Sequence, residues 1–217
     1  MTPEQESVFW EIIETFNNEG LLSHVMLIGS WAEFLYSYYF KSDYKPSLRT
    51  TDADFLFKNL RVPKKRIYLS QALQEKGFTY VENRLTGVGK YVKEGLLEIE
   101  FLVRVLGSGD RRYEKIPSID IVAVGLREVN ILAKYPLQLE CNGYTITVPE
   151  PEAYVIHKLI INPKRENADR KEKDIRSVES LIRHVDKDRL EQIYKDLTKK
   201  ERITVNTVCD ENVMVLF

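Results

Sequence analysis

The stretch Thr51-Asp52-Ala53-Asp54-Phe55-Leu56-Phe57 carries the pattern that decides how this chain folds. Its residues alternate with a period of two, which is typical of a β-strand, so both aspartates point to the same face. Their Cβ atoms are then about 7 Å apart. Carboxylates this close repel each other unless a cation lies between them, and a divalent metal ion is the usual solution. The pair therefore predicts a metal site, although ordinary solvated strands also carry such pairs.

A second run of residues, 96–103, predicts another strand with acids on one face. A strand that is otherwise almost continuously apolar should not carry inward acids without a partner. Glu100, between Ile99 and Phe101, is therefore the candidate for a third metal ligand. Glu98 is interpreted as solvated or paired with a lysine such as Lys93. The alternative for Glu100 is an edge strand with one wet face.

Gly29-Ser30 follows the apolar run 25–28, a predicted strand, and precedes a predicted helix over 31–39. A glycine at such a strand end lets the backbone approach a phosphate, and the N–H groups of the following helix favour an anion. The serine hydroxyl can donate to a phosphate oxygen. With Thr51, these residues form a candidate phosphate-binding set.

The order of predicted elements indicates an α+β fold whose core contains a mixed rather than a parallel sheet. Helical patterns cover residues 2–18 and 63–76, and residues 41–49 and 106–119 are interpreted as loops. Further strands are predicted over 78–81, 89–92, 137–139 and 144–148, with a hairpin turn at Asn142-Gly143. A C-terminal helical run is predicted over 152–200. We expect a core domain over 1–148 and a helical subdomain over 149–217. The segment 203–217 is compatible with a closing strand or with an interface.

These features together resemble the DNA polymerase β-like nucleotidyltransferase superfamily. The motifs that carry the resemblance are Leu27-Ile28-Gly29-Ser30, the Asp52–Asp54 strand and Ile99-Glu100-Phe101. Within the superfamily, the chain is most similar to bacterial stand-alone enzymes of the abortive-infection toxin type. The third acid is Glu rather than the commoner Asp, which would alter the metal geometry. The expected fold is a mixed-sheet nucleotidyltransferase core followed by a helical subdomain.

The resemblance implies transfer of a nucleoside monophosphate from an NTP to an acceptor hydroxyl, with two Mg²⁺ or Mn²⁺ ions. Asp52, Asp54 and Glu100 would hold the ions, and Glu100 would also accept the hydroxyl proton. In the helical part, the resemblance assigns phosphate or nucleotide binding to a set of four residues: Lys158, Arg165, Lys173 and Asp174. Asp174 would orient Lys173 or bind the nucleotide. A solvated helix face is the alternative for Lys158 and Lys173, and His157 is predicted to be a packing residue.

The acceptor is left open between an RNA end such as that of tRNA, a protein side chain and a small molecule. A cognate antitoxin is a further expected partner. The formal net charge of -1 excludes a global basic field, so any contact with nucleic acid requires a local patch. Three basic runs are available for one, with a solvated surface as the alternative: Lys64-Lys65-Arg66, Arg111-Arg112 and Arg170-Lys171-Glu172-Lys173.

The two cysteines, Cys141 and Cys209, stand far apart, which disfavours a zinc site and a disulfide framework. Together with the acidic N-terminus and the absence of a long apolar run, this predicts a cytoplasmic protein without a membrane span. A competing function is a non-catalytic nucleotidyltransferase fold that binds a nucleotide or a partner protein. The clustered acids argue against it, because a non-catalytic copy has no physical need for them.

Overall fold

The structure is a computed structural model that describes residues 2–40, 44–46, 50–105 and 112–217. Most of the predicted loop over 41–49 and Arg111 of the second basic run lie outside the described residues. The chain divides into two compact units. Unit 1 comprises Met1–Ala32, Arg49–Arg127 and Pro136–Val148, and unit 2 comprises Glu33–Leu48, Glu128–Tyr135 and Pro149–Phe217.

Helices are interspersed among the strands in the first two thirds of the chain, and only helices follow thereafter. In chain order they are α1 (Pro3–Asn18), β1 (Val25–Ile28), α2 (Gly29–Phe40), β2 (Asp52–Phe57), α3 (Leu69–Glu75), β3 (Thr79–Glu82), β4 (Gly89–Lys93), β5 (Leu97–Arg104), β6 (Tyr113–Ile116), β7 (Ile121–Leu126), α4 (Asn130–Lys134), β8 (Pro136–Cys141), β9 (Tyr144–Pro149), α5 (Pro151–Ile161), α6 (Ala168–Leu181), α7 (Lys187–Lys195) and α8 (Lys199–Glu211).

Unit 1 is built on a seven-stranded mixed sheet with the strand order β1-β2-β5-β4-β3, while β7 pairs with both β5 and β6. The β2–β5 and β5–β7 pairs are parallel, whereas β1–β2 and β4–β5 are antiparallel. The hairpin β8–β9 forms a separate two-stranded sheet. The predicted α+β class, with a mixed sheet followed by C-terminal helices, is confirmed.

Helix α1 covers one face of this sheet. Thr2 caps it: its hydroxyl accepts a hydrogen bond from the Gln5 N–H, and the Gln5 side chain accepts one from the Thr2 N–H. Phe16 then packs against Phe55 of β2 and Phe101 of β5, with ring centres 4.7 and 5.9 Å apart. Because side chains alternate along a strand, the residues next to Phe55 on β2 and next to Phe101 on β5 point to the other face of the sheet.

Two predicted local structures are wrong in part. The helix expected from residue 63 begins only at Leu69, because the Ile67 N–H donates to the Ser118 carbonyl at 2.7 Å instead of to a helical neighbour. The loop expected over 106–119 contains β6, which pairs antiparallel with β7. Residues 106–111 of that loop lie outside the part of the chain that the structure describes.

Unit 2 is helical around α5, whose residues are all buried and which contacts α6, α7 and α8. The segment 203–217, which the sequence left open between a strand and an interface, is helical as far as Glu211. A capping box explains this: Thr198 and Glu201 exchange side-chain-to-backbone hydrogen bonds at the start of α8. The predicted boundary between residues 148 and 149 remains a prediction.

Candidate active site in unit 1

The four acids of β2 and β5 lie side by side on one face of the sheet. In the parallel register, Asp52 is the partner of Glu98 and Asp54 is the partner of Glu100. The intervening residues Ala53 and Ile99 are completely buried on the opposite face. The strand period therefore places four carboxylates on adjacent rungs, so the sequence-predicted Asp52, Asp54 and Glu100 are brought together.

Three of these carboxylates lie close enough together to share one metal ion. Asp52, Glu98 and Glu100 each offer an oxygen, and these three oxygens lie within 4.8 Å of one another. None of the three residues is buried, so an ion can reach them from solvent. Carboxylate oxygens are hard ligands, which Mg²⁺ and Mn²⁺ prefer. The donor set therefore fits the predicted ion, but it contains Glu98, which the sequence did not include, in place of the predicted ligand Asp54.

Lys90 of β4 is a cation in direct contact with this group of acids. It donates a short hydrogen bond to Glu98, and its Nζ lies 3.9 Å from a carboxylate oxygen of Glu100. The hydrogen bond to Glu98 is the main cause that raises the pKa of Lys90. Attraction to Glu100 and Asp52 acts in the same direction, against the lowering effect of burial. Lys90 is therefore held as a cation and offsets part of the repulsion among the acids.

The partner of Glu98 is Lys90 and not Lys93, which the sequence suggested. The β4–β5 hairpin pairs Lys93 with Leu97 and consequently Lys90 with Glu100. Lys93 therefore points to the other face, where it forms an ion pair of 3.0 Å with Glu11 of α1. The length of the turn between the two strands sets this register. Counting back from that turn would have identified Lys90 from the sequence.

Gly29, at the junction of β1 and α2, is constrained by the neighbouring carboxylate of Asp54. Its φ of +68° lies in the left-handed region that favours glycine. A Cβ atom at this position would lie only 2.6 Å from the Asp54 Oδ2 atom. The pairing of Ile28 with Asp54 brings the two segments together. The glycine predicted to make room for a phosphate thus also makes room for a carboxylate.

Hydroxyl groups connect the start of α2 to the segment that precedes β2. The Thr50 hydroxyl donates to the Asp52 carbonyl at 3.3 Å and also shares a hydrogen bond with the Ser30 hydroxyl. The Thr51 carbonyl accepts a hydrogen bond of 2.8 Å from the Glu98 N–H. Ser30 and Thr51 therefore both lie in segments that fix Asp52. Thr50 was missed by the sequence analysis, although it directly precedes the acidic strand.

In unit 2, Asp174 of α6 lies between two cations. Its carboxylate accepts a hydrogen bond of 2.8 Å from Lys158 and one of 2.9 Å from the Arg165 Nε. The side chains of Lys158 and Asp174 are only 9% and 4% exposed. The interpretation of Lys158 as part of a solvated helix face is therefore wrong, and the partners of Asp174 are Lys158 and Arg165 rather than Lys173.

Lys173 and His157 have opposite environments within unit 2. Lys173 is exposed and has no ion-pair partner among the described residues. His157 is buried, and desolvation together with the neighbouring Lys158 and Arg165 lowers its pKa to about 3. The ring is neutral at physiological pH. The predicted packing role of His157 is confirmed.

Comparison with solved structures places this architecture among nucleotidyltransferase-like folds. An antigenic nucleotidyltransferase-like protein from Paracoccidioides brasiliensis superposes with a TM-score of 0.58 at 16% identity, over 97% of this chain and 89% of the other. The antibiotic-resistance factor ANT(2'')-Ia in solution gives a TM-score of 0.49 at 12% identity, over 89% and 90% of the two chains. The crystal structure of ANT(2'')-Ia with adenylyl-2''-tobramycin gives 0.48 at 13%, over 88% and 95%.

The sequence itself identifies the family. Residues 8–202 match the family described as nucleotidyltransferase. The chain therefore belongs to this nucleotidyltransferase family. No curated protein matches its sequence. Among the helices that the structure describes, none combines the length and apolar character needed to cross a lipid bilayer.

Proposed function

We propose that this chain is a metal-dependent nucleotidyltransferase that transfers a nucleoside monophosphate from an NTP to an acceptor hydroxyl and releases pyrophosphate. The observation that carries the proposal is the register of β2 and β5, which aligns Asp52 with Glu98 and Asp54 with Glu100. Four carboxylates on neighbouring rungs repel one another, and Lys90, hydrogen-bonded to Glu98, offsets part of this charge. The arrangement is a reason to expect divalent cations there.

Asp52 and Asp54 would hold two Mg²⁺ or Mn²⁺ ions, and Glu100 would hold the one nearer the acceptor. The bound ions would supply electrostatic stabilisation of the triphosphate and lower the pKa of the acceptor hydroxyl. The hydroxyl oxygen forms a bond to the α-phosphorus, while the bond from that phosphorus to the oxygen bridging to the β-phosphate breaks. Glu100 accepts the hydroxyl proton, and pyrophosphate leaves with the electron pair of the broken bond.

Gly29, Ser30 and Thr51 would contact the phosphates. Support comes from the exposed Thr51 and from the start of α2, where the first backbone N–H groups have no acceptor within the helix and favour an anion. In unit 2, Lys173 is an exposed cation suited to the triphosphate charge. Lys158 and Arg165 are bound to Asp174, so we assign Asp174 the task of positioning these two cations rather than of contacting the nucleotide.

We further propose a domain division at residue 148, a cytoplasmic location, an origin among bacterial toxin-type enzymes and a cognate antitoxin as partner. The acceptor is an RNA end, a protein side chain or a small molecule.

Label transfer tests the proposal. Each α-labelled NTP is incubated with Mg²⁺ or Mn²⁺ and a cell extract, and label is measured in the RNA, protein and small-molecule fractions. The Asp52→Asn/Asp54→Asn variant should lose all transfer, whereas a control that neutralises two exposed acids of unit 2, Asp188→Asn/Asp210→Asn, should retain it. If no fraction is labelled while ATP still binds, the chain is a non-catalytic nucleotide-binding module.

A further inference from the structure

The segment from residue 55 to residue 74 is strongly cationic in a chain whose formal net charge is -1. It contains no aspartate or glutamate and five basic residues: Lys58, Arg61, Lys64, Lys65 and Arg66. A segment of this kind is normally balanced by acids from elsewhere in the fold if its task is structural.

Most of these cations have no acidic partner in the part of the chain that the structure describes. Arg61, Lys64 and Lys65 are exposed and form no ion pair within the residues that the structure describes. Arg66 is paired with Asp120 at 3.0 Å. Asp120 also forms an ion pair of 2.7 Å with Lys115 of β6. One aspartate thus joins two cationic segments that are distant in sequence, and the surface keeps an excess of positive charge.

We call this the basic surface and define it by five residues: Arg61, Lys64, Lys65, Arg66 and Lys115. An aromatic side chain lies within it, because the Arg66 guanidinium is 5.9 Å from the centre of the Tyr68 ring. Tyr68 is 68% exposed. An exposed aromatic ring in a cationic environment provides a platform on which a planar base can stack.

A cavity of about 450 Å³ adjoins the basic surface, since Arg66 and Tyr68 belong to its lining. Two further tyrosines, Tyr80 and Tyr91, and the amides of Gln71 and Gln74 line the same cavity. Aromatic rings bind the faces of nucleobases, and amide groups form hydrogen bonds with their edges. The volume is within the range of small-ligand sites and admits one nucleoside.

The cavity and the acids lie on opposite faces of the sheet. In the β4–β5 register, Tyr91 is the partner of Ile99, whereas the next residue back, Lys90, is the partner of Glu100. Because side chains alternate along a strand, Tyr91 points away from the carboxylates. A mononucleotide in the cavity therefore cannot also reach the acids. A flexible polymer can extend around the edge of the sheet.

We propose that the basic surface and the adjoining cavity bind a single-stranded polynucleotide, with phosphates on Arg61, Lys64 and Lys65 and an unpaired base on Tyr68. A duplex fits this site poorly, because its bases are stacked and their faces are inaccessible. The binding itself does not depend on catalysis. That the bound strand is also the acceptor, and hence that the acceptor is RNA, rests on the proposed function.

Fluorescence anisotropy with labelled twelve-nucleotide oligo(U) and oligo(dT), at several salt concentrations and without NTP, tests the charge component. The Arg61→Ala/Lys64→Ala/Lys65→Ala variant should bind at least tenfold more weakly than the wild type. A plot of the logarithm of the association constant against the logarithm of the salt concentration has a negative slope. The magnitude of this slope should decrease by about 2 in the variant, because each lost phosphate contact on a single strand contributes about 0.7. The matched control Arg183→Ala/Lys199→Ala/Lys200→Ala removes three exposed cations of unit 2 and should bind like the wild type.

A second pair of variants tests the aromatic component. Tyr68→Ala should weaken binding about tenfold, whereas Tyr68→Phe retains the ring and should bind normally.

The proposal is overturned if the wild type does not bind oligo(U) or oligo(dT), if the triple variant binds as tightly as its control, or if a blunt duplex competes as well as the single strand. Preference for oligo(U) over oligo(dT) would support RNA recognition through the 2′-hydroxyl, and equal binding would support a site that reads phosphates and bases alone.

Failure of this inference is distinguishable from failure of the proposed function. The Asp52→Asn/Asp54→Asn variant leaves the basic surface intact, so it should bind oligonucleotide like the wild type even without transfer activity. Conversely, if the basic-surface variant still labels the protein or small-molecule fraction, catalysis stands and the polynucleotide surface is not its acceptor site.

Discussion

Asp54 is the partner of Glu100 across the parallel β2–β5 pair, and its carboxylate also approaches the Cα of Gly29 so closely that a Cβ there would lie 2.6 Å from Oδ2. Two strands and the start of a helix thus meet at one carboxylate. This convergence makes the position of Asp54 sensitive to changes in segments that are distant in sequence. Such sensitivity provides a direct test of the site.

Gly29→Ala is expected to destabilise the protein and to abolish transfer, because the new methyl group displaces the Asp54 carboxylate. Gly20→Ala is a matched control: Gly20 has a φ of +71°, close to the +68° of Gly29, but no atom lies within 4 Å of its Cβ position. Backbone strain at either glycine costs about 1–2 kcal/mol. Urea denaturation should show a larger loss for Gly29→Ala, and equal losses would contradict the contact with Asp54.

Lys90→Gln is expected to strengthen Mn²⁺ binding, because it removes a cation that competes for the same carboxylates. A unit charge at about 4 Å contributes about 1 kcal/mol in water, which corresponds to roughly a fivefold change in Kd. Isothermal titration calorimetry measures this change. Lys93→Gln, on the same strand but facing Glu11, should leave the Mn²⁺ affinity unaltered. Weaker Mn²⁺ binding by Lys90→Gln would show that Lys90 holds the acids in place rather than competing with the ion.

Asp174→Asn is expected to lower the free energy of unfolding by about 3–5 kcal/mol, because it leaves the buried cation of Lys158 without its counter-charge. Lys158→Met/Asp174→Leu, which removes both charges, should recover a large part of that loss. Glu191→Gln breaks the exposed Lys195–Glu191 pair and should change stability by about 0.5 kcal/mol or less. If Asp174→Asn is as stable as the wild type and only raises KM for NTP, Asp174 contacts the nucleotide directly.

His157 should make stability depend on pH below neutrality. Its pKa of about 3 in the folded chain is below the ordinary value of 6.5, so below pH 6.5 the unfolded chain binds a proton that the folded chain does not. Stability is therefore lost as the pH falls from 6.5 towards 3, by about 2 kcal/mol at pH 5. His157→Gln should remove this component in denaturation series at pH 5 and 7. A variant with the wild-type pH dependence would show that His157 is protonated in the folded chain.

Local periodicity predicted much of the fold, because it depends on neighbouring residues alone. The strand around Asp52 and Asp54 and the strand with Glu100 were identified from spacing, and the glycine at the start of α2 from its place after an apolar run. Elements that depend on distant partners were missed. The start of α3 is moved to Leu69 by a hydrogen bond from Ile67 to Ser118, and β6 exists because it pairs with β7.

The sequence by itself determined that the chain is an α+β protein with acids on one face of two strands and a glycine beside them. These are properties of alternation along single strands and of turn chemistry. Only the tertiary structure decided that Lys90 pairs with Glu98, that Asp174 joins Lys158 to Arg165, and that Asp120 connects two basic segments. The physical reason is that strand register and ion pairing between distant segments follow from how the whole core is buried, which no local pattern contains.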